Sequence, residues 1–518
     1  MGSVAEIIRR NAKVRPDALA VVGEGREATF GELDERSSRV AAGLVSWGLE
    51  QGDRVAYLSR NGTEYWELLF GATKAGLAIV PLNFRLSADE IGWILGDADP
   101  AVVAVEDQLA DLVPDSYPGR RLLISLSGEP PAPREGWTSY EDWLAEQPPQ
   151  DPHREVEGDG LLSIMYSSGT TGRPKGVTTT VGSMLWSVEA FGSQFDTTEE
   201  SVSLVPTPYY HVTAGGWSLL ALNAGGRIIQ FQEVTPQNML ELMVEHRATH
   251  VIMVPTLMQM FINSPEASSA DYSSVKYVVY GGSPISETVM VGAQRVFGAE
   301  LSQSYGLTET IGTTTILRPE DHVVGPDSKL RSAGRAVPGV EVKIVDPETG
   351  ADVEPGVVGE IVVRAPSVTQ GYWRRPKETE EAFWPGGWFR TGDAGYQDED
   401  GYVFIKDRIK DLLVTGGENV YPAEVENVIM GFPGVLEVAV IGVPHEKWGE
   451  TPLAIVVAKP GASIDAAELI AYTRERLAHY KCPTQVEVLE LLPRNPSGKV
   501  LKRELRKPYW EGRDRSVG

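Results

Sequence analysis

After the apolar run Leu161-Leu-Ser-Ile-Met165 comes Tyr166-Ser-Ser-Gly-Thr-Thr-Gly-Arg-Pro-Lys-Gly176, a segment whose residue types suit the binding of phosphate. Gly169, Gly172 and Gly176 let backbone N–H groups approach an anion, and the hydroxyls of Ser167, Ser168, Thr170 and Thr171 can donate to it. Lys175 supplies compensating charge. The segment is not the P-loop of NTPases, which needs Gly-Lys followed by Ser or Thr; Lys175 follows Pro174 and precedes Gly176. Composition alone also suits a surface connection.

Further clusters of this kind follow in order: Gly281-Gly-Ser-Pro284, Tyr305-Gly-Leu-Thr-Glu309, Arg390-Thr-Gly-Asp393, Asp407-Arg-Ile-Lys-Asp411, Gly416-Gly-Glu-Asn419 and Pro496-Ser-Gly-Lys499. Each alone passes for a turn or a strand end. Together, in this order and across nearly the whole chain, they resemble the signature set of the adenylate-forming superfamily: acyl-CoA ligases, peptide-synthetase adenylation domains and luciferases.

The resemblance implies roles. The Gly281-Gly282 backbone and Tyr305 would hold adenine, the tyrosine ring stacking where glycines allow close approach, and Ser283 and Gly306 would join them in binding the nucleotide. Thr308 would donate to the α-phosphate, and Glu309 would hold Mg²⁺ through the oxygen donors a hard cation prefers. Asp393 would anchor the ribose hydroxyls, with Arg408 donating from the opposite side. Lys499 would sit between the substrate carboxylate and the α-phosphate, offsetting charge where two anions meet. Lys410 matches the pivot about which the family swings its small domain, and Gly416 and Gly417 would then leave room for a pantetheine arm.

Pro206-Thr-Pro-Tyr-Tyr-His-Val-Thr-Ala-Gly-Gly-Trp217 resembles the wall of the acyl pocket, with His211 at the gate. No acid lies between Val205 and Asn223, where amino-acid-activating relatives place an aspartate. The expected pocket segments, YYHVTAGGW, IMVPTLMQM, VVYGGS and SQSYG, contain no arginine for a second carboxylate. An apolar monocarboxylic acid, aryl or medium to long chain, is the expected substrate. Arg85, Trp448, Tyr480 and Lys481 resemble positions that contact coenzyme A in aryl-CoA ligases, where a ring stacks on adenine and cations meet phosphates. Cys482 departs from the arginine some relatives carry beside that ring. A stand-alone amide ligase, a loader of carrier-protein phosphopantetheine and a non-catalytic adenylate binder are the competing readings; the presence of Lys499, Glu309 and Asp393 argues against the last.

These groups must be positioned by a chain of 518 residues, enough for several cores. Short apolar runs such as LLSIMY, HVIMVP and VKYVVY alternate with helix-like segments, as in buried parallel strands with crossover helices. The fold class expected is multi-domain α/β: residues 1–408 forming two α/β subdomains plus a β-barrel-like subdomain over roughly 334–408, then a small mobile α+β domain over 409–518 with its hinge at Lys410. The formal charge of −25 argues against a nucleic-acid partner. No stretch approaches the roughly 18 apolar residues of a spanning helix, so no integral membrane association is expected. One cysteine, Cys482, excludes an intramolecular disulfide. The cytoplasm is the expected compartment, and homodimerisation is left open.

Overall fold

The computed structural model of the chain describes residues 2–167, 173–282, 285, 287–325, 328–494 and 500–511. By compactness the chain forms two units, Met1–Val342 with Val363–Phe389, and Lys343–Val362 with Arg390–Gly518.

The larger unit is built on two sheets. In the first, the strands Arg120–Ile124, Val102–Glu106, Arg54–Leu58, Ala78–Pro81 and Leu161–Ser167 lie side by side in parallel. Lys175–Thr180 returns antiparallel beside the last of them, and Thr138–Ser139 closes the other edge. The second sheet runs, from edge to edge, Arg335–Ala336, Thr315–Leu317, Glu300–Tyr305, Tyr277–Gly281, His250–Met253, Val202–Val205, Arg227–Gln230, Leu19–Gly23 and Ala28–Thr29. From Glu300–Tyr305 to Leu19–Gly23 its pairs are parallel. Strands covered on both faces read as unbroken apolar runs rather than alternation, and Val202–Val205, His250–Met253 and Ala78–Pro81 are buried at every position. Several crossover helices start at reciprocal caps, Thr29 with Glu32, Ser87 with Glu90 and Thr235 with Asn238, which satisfy otherwise orphaned backbone donors. The expected α/β class is what the chain adopts.

Gly281 and Ser304 face each other at the carboxyl ends of two neighbouring parallel strands. In open α/β sheets such ends are where ligands bind. The β-rich stretch forms a five-stranded sheet of Glu341–Val345, Gly359–Arg364, Phe383–Trp384, Trp388–Gln397 and Val403–Arg408.

In the smaller unit the long hairpin Val435–His445 and Gly449–Ala458 is the spine of an α+β sheet. Leu413–Thr415, Glu418–Val420 and Gln485–Val488 complete it. Alternate residues of the hairpin feed two apolar clusters, one of them with the helix Pro422–Ile429 and the other with the helix Lys502–Trp510. Among the described residues no helix is long and apolar enough to cross a membrane.

Candidate active site

In the larger unit Ser167 ends one strand and Lys175 begins the next, directly opposite each other in the hairpin register. Ser168, Gly169, Thr170, Thr171 and Gly172 lie outside the described residues, as do Ser283 and Lys499. The Lys175 ammonium stands 5.1 Å from the centroid of the Tyr372 ring. The Tyr372 hydroxyl donates to Glu309 Oε1 at 3.1 Å, and the Thr369 amide donates to the Glu309 carbonyl at 2.7 Å. The segment bearing Thr369 and Tyr372 is stitched to the strand after Lys175: Thr178 N–H donates to Gly371 O at 3.1 Å, and Trp373 N–H donates to Gly176 O at 2.7 Å. Thr369 Oγ1 also donates to Thr178 O at 2.7 Å. The expected phosphate lysine and the expected metal carboxylate are thus tied to one short segment. Sequence reasoning did not single out Tyr372 or Thr369; the only signal was the aromatic pair of Gly371-Tyr-Trp373, far away in the chain.

Thr308 and Glu309 sit on a single 3₁₀ turn, Thr308–Thr310, followed by Ile311 and Gly312 with positive φ. Thr310 is fully buried and its Oγ1 accepts from Leu307 N–H at 3.0 Å, which locks the turn. The glycine at 306 has a packing cause: a Cβ there would stand 2.6 Å from the Gly312 carbonyl carbon and oxygen. Tyr305 precedes it at the end of its strand, opposite Thr315.

The segment before His211 is pinned to the core. Tyr209 is buried, its N–H donates to Asn61 Oδ1 at 2.9 Å, and its ring stacks on Tyr65 with centroids 4.7 Å apart. His211 is the N-cap residue of the helix Val212–Ala224. Its ring centroid is 4.5 Å from that of Tyr210, which meets Phe84 edge-on at 5.5 Å, and the Arg85 guanidinium lies 5.6 Å from the Phe84 ring. Two residues taken separately from sequence, a gate and a coenzyme A contact, are therefore the ends of one aromatic chain. Burial pushes the Tyr210 hydroxyl above its ordinary pKa, so it stays protonated at neutral pH. Along the helix from Val212, Gly216 faces open space, with nothing within 4 Å of where a Cβ would be.

In the smaller unit Asp393 is buried and faces Arg408 in the antiparallel register; Arg408 Nε lies 2.8 Å from Asp393 Oδ1. Arg408 thus lies on the carboxylate it was expected to face across a ribose. Asp393 N–H also donates to Thr391 Oγ1 at 3.0 Å, fixing the backbone beside the carboxylate. Lys410 lies on the turn Ile409–Asp411. Gly416 has φ +62, and a Cβ on it would stand 2.7 Å from Trp448 Cε3; its N–H donates to Trp448 O at 3.0 Å. Gly417 faces open space. Trp448 is 43% exposed, with the Lys447 ammonium 4.4 Å from its ring centroid. Tyr480 is 38% exposed, while Lys481 is held by both Glu424 carboxylate oxygens at 2.8 Å. Cys482 is buried, and burial raises its thiol pKa.

An ATP-using carboxylate-activating site is the chemistry this donor set suits, and the comparisons with known proteins agree. The profile of AMP-binding enzymes matches residues 8–373, and that of the AMP-binding enzyme C-terminal domain matches residues 424–499. The chain belongs to the AMP-binding enzyme family, the adenylate-forming superfamily, in its acyl-CoA synthetase branch. It is 38% identical over 512 residues to the fatty acid–[acyl-carrier-protein] ligase ScoC of Streptomyces coeruleorubidus, covering 98% of this chain and 96% of the relative. It is 39% identical over 503 residues to the feruloyl-CoA synthase of an Amycolatopsis species, covering 96% and 98%. Among solved structures it resembles ATP-bound MatB from Rhodopseudomonas palustris, with TM-score 0.88, 33% identity and coverage of 98% and 99%. The amide bond synthetase McbA from Marinactinospora thermotolerans matches with TM-score 0.86, 29% identity and coverage of 98% and 100%.

Proposed function

We propose that this protein condenses an apolar monocarboxylic acid with ATP to an acyl-adenylate and then passes the acyl group to the thiol of coenzyme A. The observation that carries the first half is the tie of Lys175 and Glu309 to one segment through Tyr372. A cation for phosphate and a hard oxygen donor on one support are what a nucleotide triphosphate and its metal require. The Glu309 carboxylate, oriented by the Tyr372 hydroxyl, fits Mg²⁺, which is usually held by one or two carboxylates plus substrate phosphates. When bound, that ion supplies charge neutralisation on the polyphosphate.

In the first step a carboxylate oxygen attacks the α-phosphorus and the bond to pyrophosphate breaks. Lys499 offsets the two anions there, and Thr308 donates to the α-phosphate. Asp393 accepts from the ribose hydroxyls, with Arg408 paired to the same carboxylate. In the second step the thiol sulfur, its proton lost, attacks the acyl carbon and AMP leaves. Residues 1–408 carry the nucleotide site and 409–518 form the lid, turning at Lys410. Trp448 on its Gly416 platform, flanked by Lys447, and Arg85 beside Phe84 offer the ring and cations that coenzyme A would meet. The single buried cysteine fits work in a reducing compartment, the cytoplasm.

A second reading keeps the adenylate and changes the acceptor, because relatives of this chain include a carrier-protein ligase and an amide bond synthetase. The deciding experiment is pyrophosphate release from a panel of aliphatic and aromatic acids with ATP and Mg²⁺, run with coenzyme A, with phosphopantetheinylated carrier protein, with simple amines, and with none of them. Turnover that needs coenzyme A and yields an acyl-CoA mass supports the proposal. An acylated carrier or an amide, formed without response to coenzyme A, replaces the acceptor. Silence with every acid rejects the adenylation itself.

A further inference from the structure

The helix Lys502–Trp510 carries two cations four residues apart, hence on one face. Lys502 Nζ lies 2.7 Å from Glu426 Oε1 on the helix Pro422–Ile429. Arg506 Nη2 lies 2.6 Å from Asp411 Oδ1, and Asp411 is the residue after Lys410. Both pairs are largely withdrawn from water, with side-chain exposures of 16% and 20% for the first and 12% and 15% for the second. Burial alone would lower the Lys502 pKa, but the Glu426, Asp407 and Asp411 carboxylates hold it above its ordinary value. Burial alone would raise Asp411, but Arg506 and Lys502 hold it below. Lys502 and Asp411 are thus charged at neutral pH, each beside its partner in the pair.

A buried ion pair adds little net stability against an apolar replacement, yet breaking one partner is costly because the other charge is stranded. Such pairs serve geometry. The pair Arg506–Asp411 fixes the turn Ile409–Asp411 to the helix Lys502–Trp510, and Lys502–Glu426 fixes that helix to the helix Pro422–Ile429. The helix is further held to the sheet by Trp510 Nε1 donating to Gly442 O at 2.9 Å, by Tyr509 OH donating to Glu487, and by Leu505 in the apolar cluster. Just ahead of it, Leu501 N–H donates to Pro493 O at 2.8 Å, Val500 bridges Arg494, and Arg494 Nη2 lies 2.9 Å from Glu437 Oε2. Along the chain, Lys499 immediately precedes Val500.

We propose that Asp411 and Arg506 are positioning residues for adenylation: their pair makes the turn that holds Lys410 and the helix entered just after Lys499 move as one body. The proposal rests on the reading of Lys499 as the adenylation lysine and Lys410 as the pivot. Neither Asp411 nor Arg506 needs to touch the reacting atoms. Misplacement of a cation by about 1 Å is enough to cost up to about a hundredfold in rate.

The test uses the full chain with Arg506→Met, Asp411→Asn, the double variant, and the exchanged pair Asp411→Arg with Arg506→Asp. Adenylation is read as pyrophosphate release, the thioester step as acyl-CoA formed from supplied acyl-adenylate, and coupling as amide hydrogen exchange in peptides covering 409–415 and 500–511. Each single variant is expected to lower kcat for adenylation about tenfold or more, with KM for ATP and the thioester step within about twofold. Exchange is expected to rise in both peptides whichever partner is changed. The double variant should be no worse than either single one, and the exchanged pair should recover part of the loss. A rise confined to the peptide that carries the substitution, or equal losses in both half-reactions, overturns the proposal. If the unmodified chain fails to release pyrophosphate whichever acid is supplied, the adenylation reading fails on its own, and the two-peptide exchange still decides whether the pair couples the turn to the helix.

Discussion

The Tyr372 hydroxyl donates to Glu309 Oε1 at 3.1 Å while its ring receives the Lys175 ammonium at 5.1 Å. One side chain thus orients a carboxylate and supports a cation that are expected to act on the same polyphosphate. Replacing it should disturb both without removing either.

Tyr372→Phe keeps the ring and loses the donor. A hydrogen bond to a charged group contributes about 1.5–3 kcal/mol, so kcat/KM for ATP in the pyrophosphate-release assay should fall about tenfold or more. Tyr372→Ala should cost more, and Glu309→Gln about a hundredfold or more, on the scale of losing a preorganised electrostatic group. Equal rates in Tyr372→Phe and the parent would show that the tyrosine does not orient the carboxylate in the working enzyme.

Gly416→Ala inserts a methyl group 2.7 Å from Trp448 Cε3 at a backbone φ of +62. The ring has to move, because a Cβ has no room there, and the residue itself carries strain on the order of 1–3 kcal/mol. KM for coenzyme A should rise about tenfold, equivalent to roughly 1.4 kcal/mol, while pyrophosphate release without an acceptor stays near the parent value. Gly417→Ala, with open space beside it but φ +89, separates strain from collision. If both variants behave alike, the Trp448 platform is irrelevant to the acceptor.

Stability should fall as pH drops below neutrality, and the cause is two buried histidines. His250 Nε2 lies 2.7 Å from Phe195 O, and His322 Nδ1 lies 2.7 Å from Arg318 O while its Nε2 is 2.9 Å from the Tyr280 hydroxyl. Burial is the dominant cause that lowers both pKa values below the ordinary 6.5. A base with a depressed folded pKa binds its proton more readily when unfolded, so stability is full above about 6.5 and is lost as pH falls toward the folded value. The slope is at most about 1.4 kcal/mol per pH unit for each histidine. Thermal melts from pH 8 to pH 5 should show Tm falling below pH 6.5, and His250→Asn with His322→Asn should flatten that slope whatever it does to Tm itself. An unchanged slope in the double variant rules these histidines out.

Gly216→Leu fills the open space beside the helix Val212–Ala224. Each methylene that a pocket accepts or rejects is worth about 1–3 kcal/mol of discrimination. Across a series of linear acids the variant should lose activity on the longer members and keep it on the shortest. A uniform loss across the series would mean that the space beside Gly216 is not where the acyl group lies.

The residues expected to form the site come in short contiguous motifs, and the structure keeps the described ones of each motif together. Thr308 with Glu309, Arg390 to Asp393, and Gly416 with Gly417 each fall on one turn or strand, so spacing in the chain is spacing in the molecule. The α/β class was legible for a related reason: strands buried on both faces must be unbroken apolar runs. What could not be read was support across distance. Tyr372 reaches Glu309 over 63 residues, and Arg85 meets His211 only through Phe84 and Tyr210. Nor could sequence tell that Gly416 exists to seat Trp448, or that Gly306 is demanded by the Gly312 carbonyl; both look like ordinary turn glycines until the partner is in place.

The stitch between Thr178 and Gly371 joins points 193 residues apart. On a ribosome adding ~5–20 residues per second, the strand after Lys175 waits roughly ten to forty seconds before the segment that braces it is even synthesised. Glu309 waits for the same segment. A nascent or truncated chain that stops short of Gly371 therefore lacks the brace of both groups at once, and the two come into register together only late in synthesis.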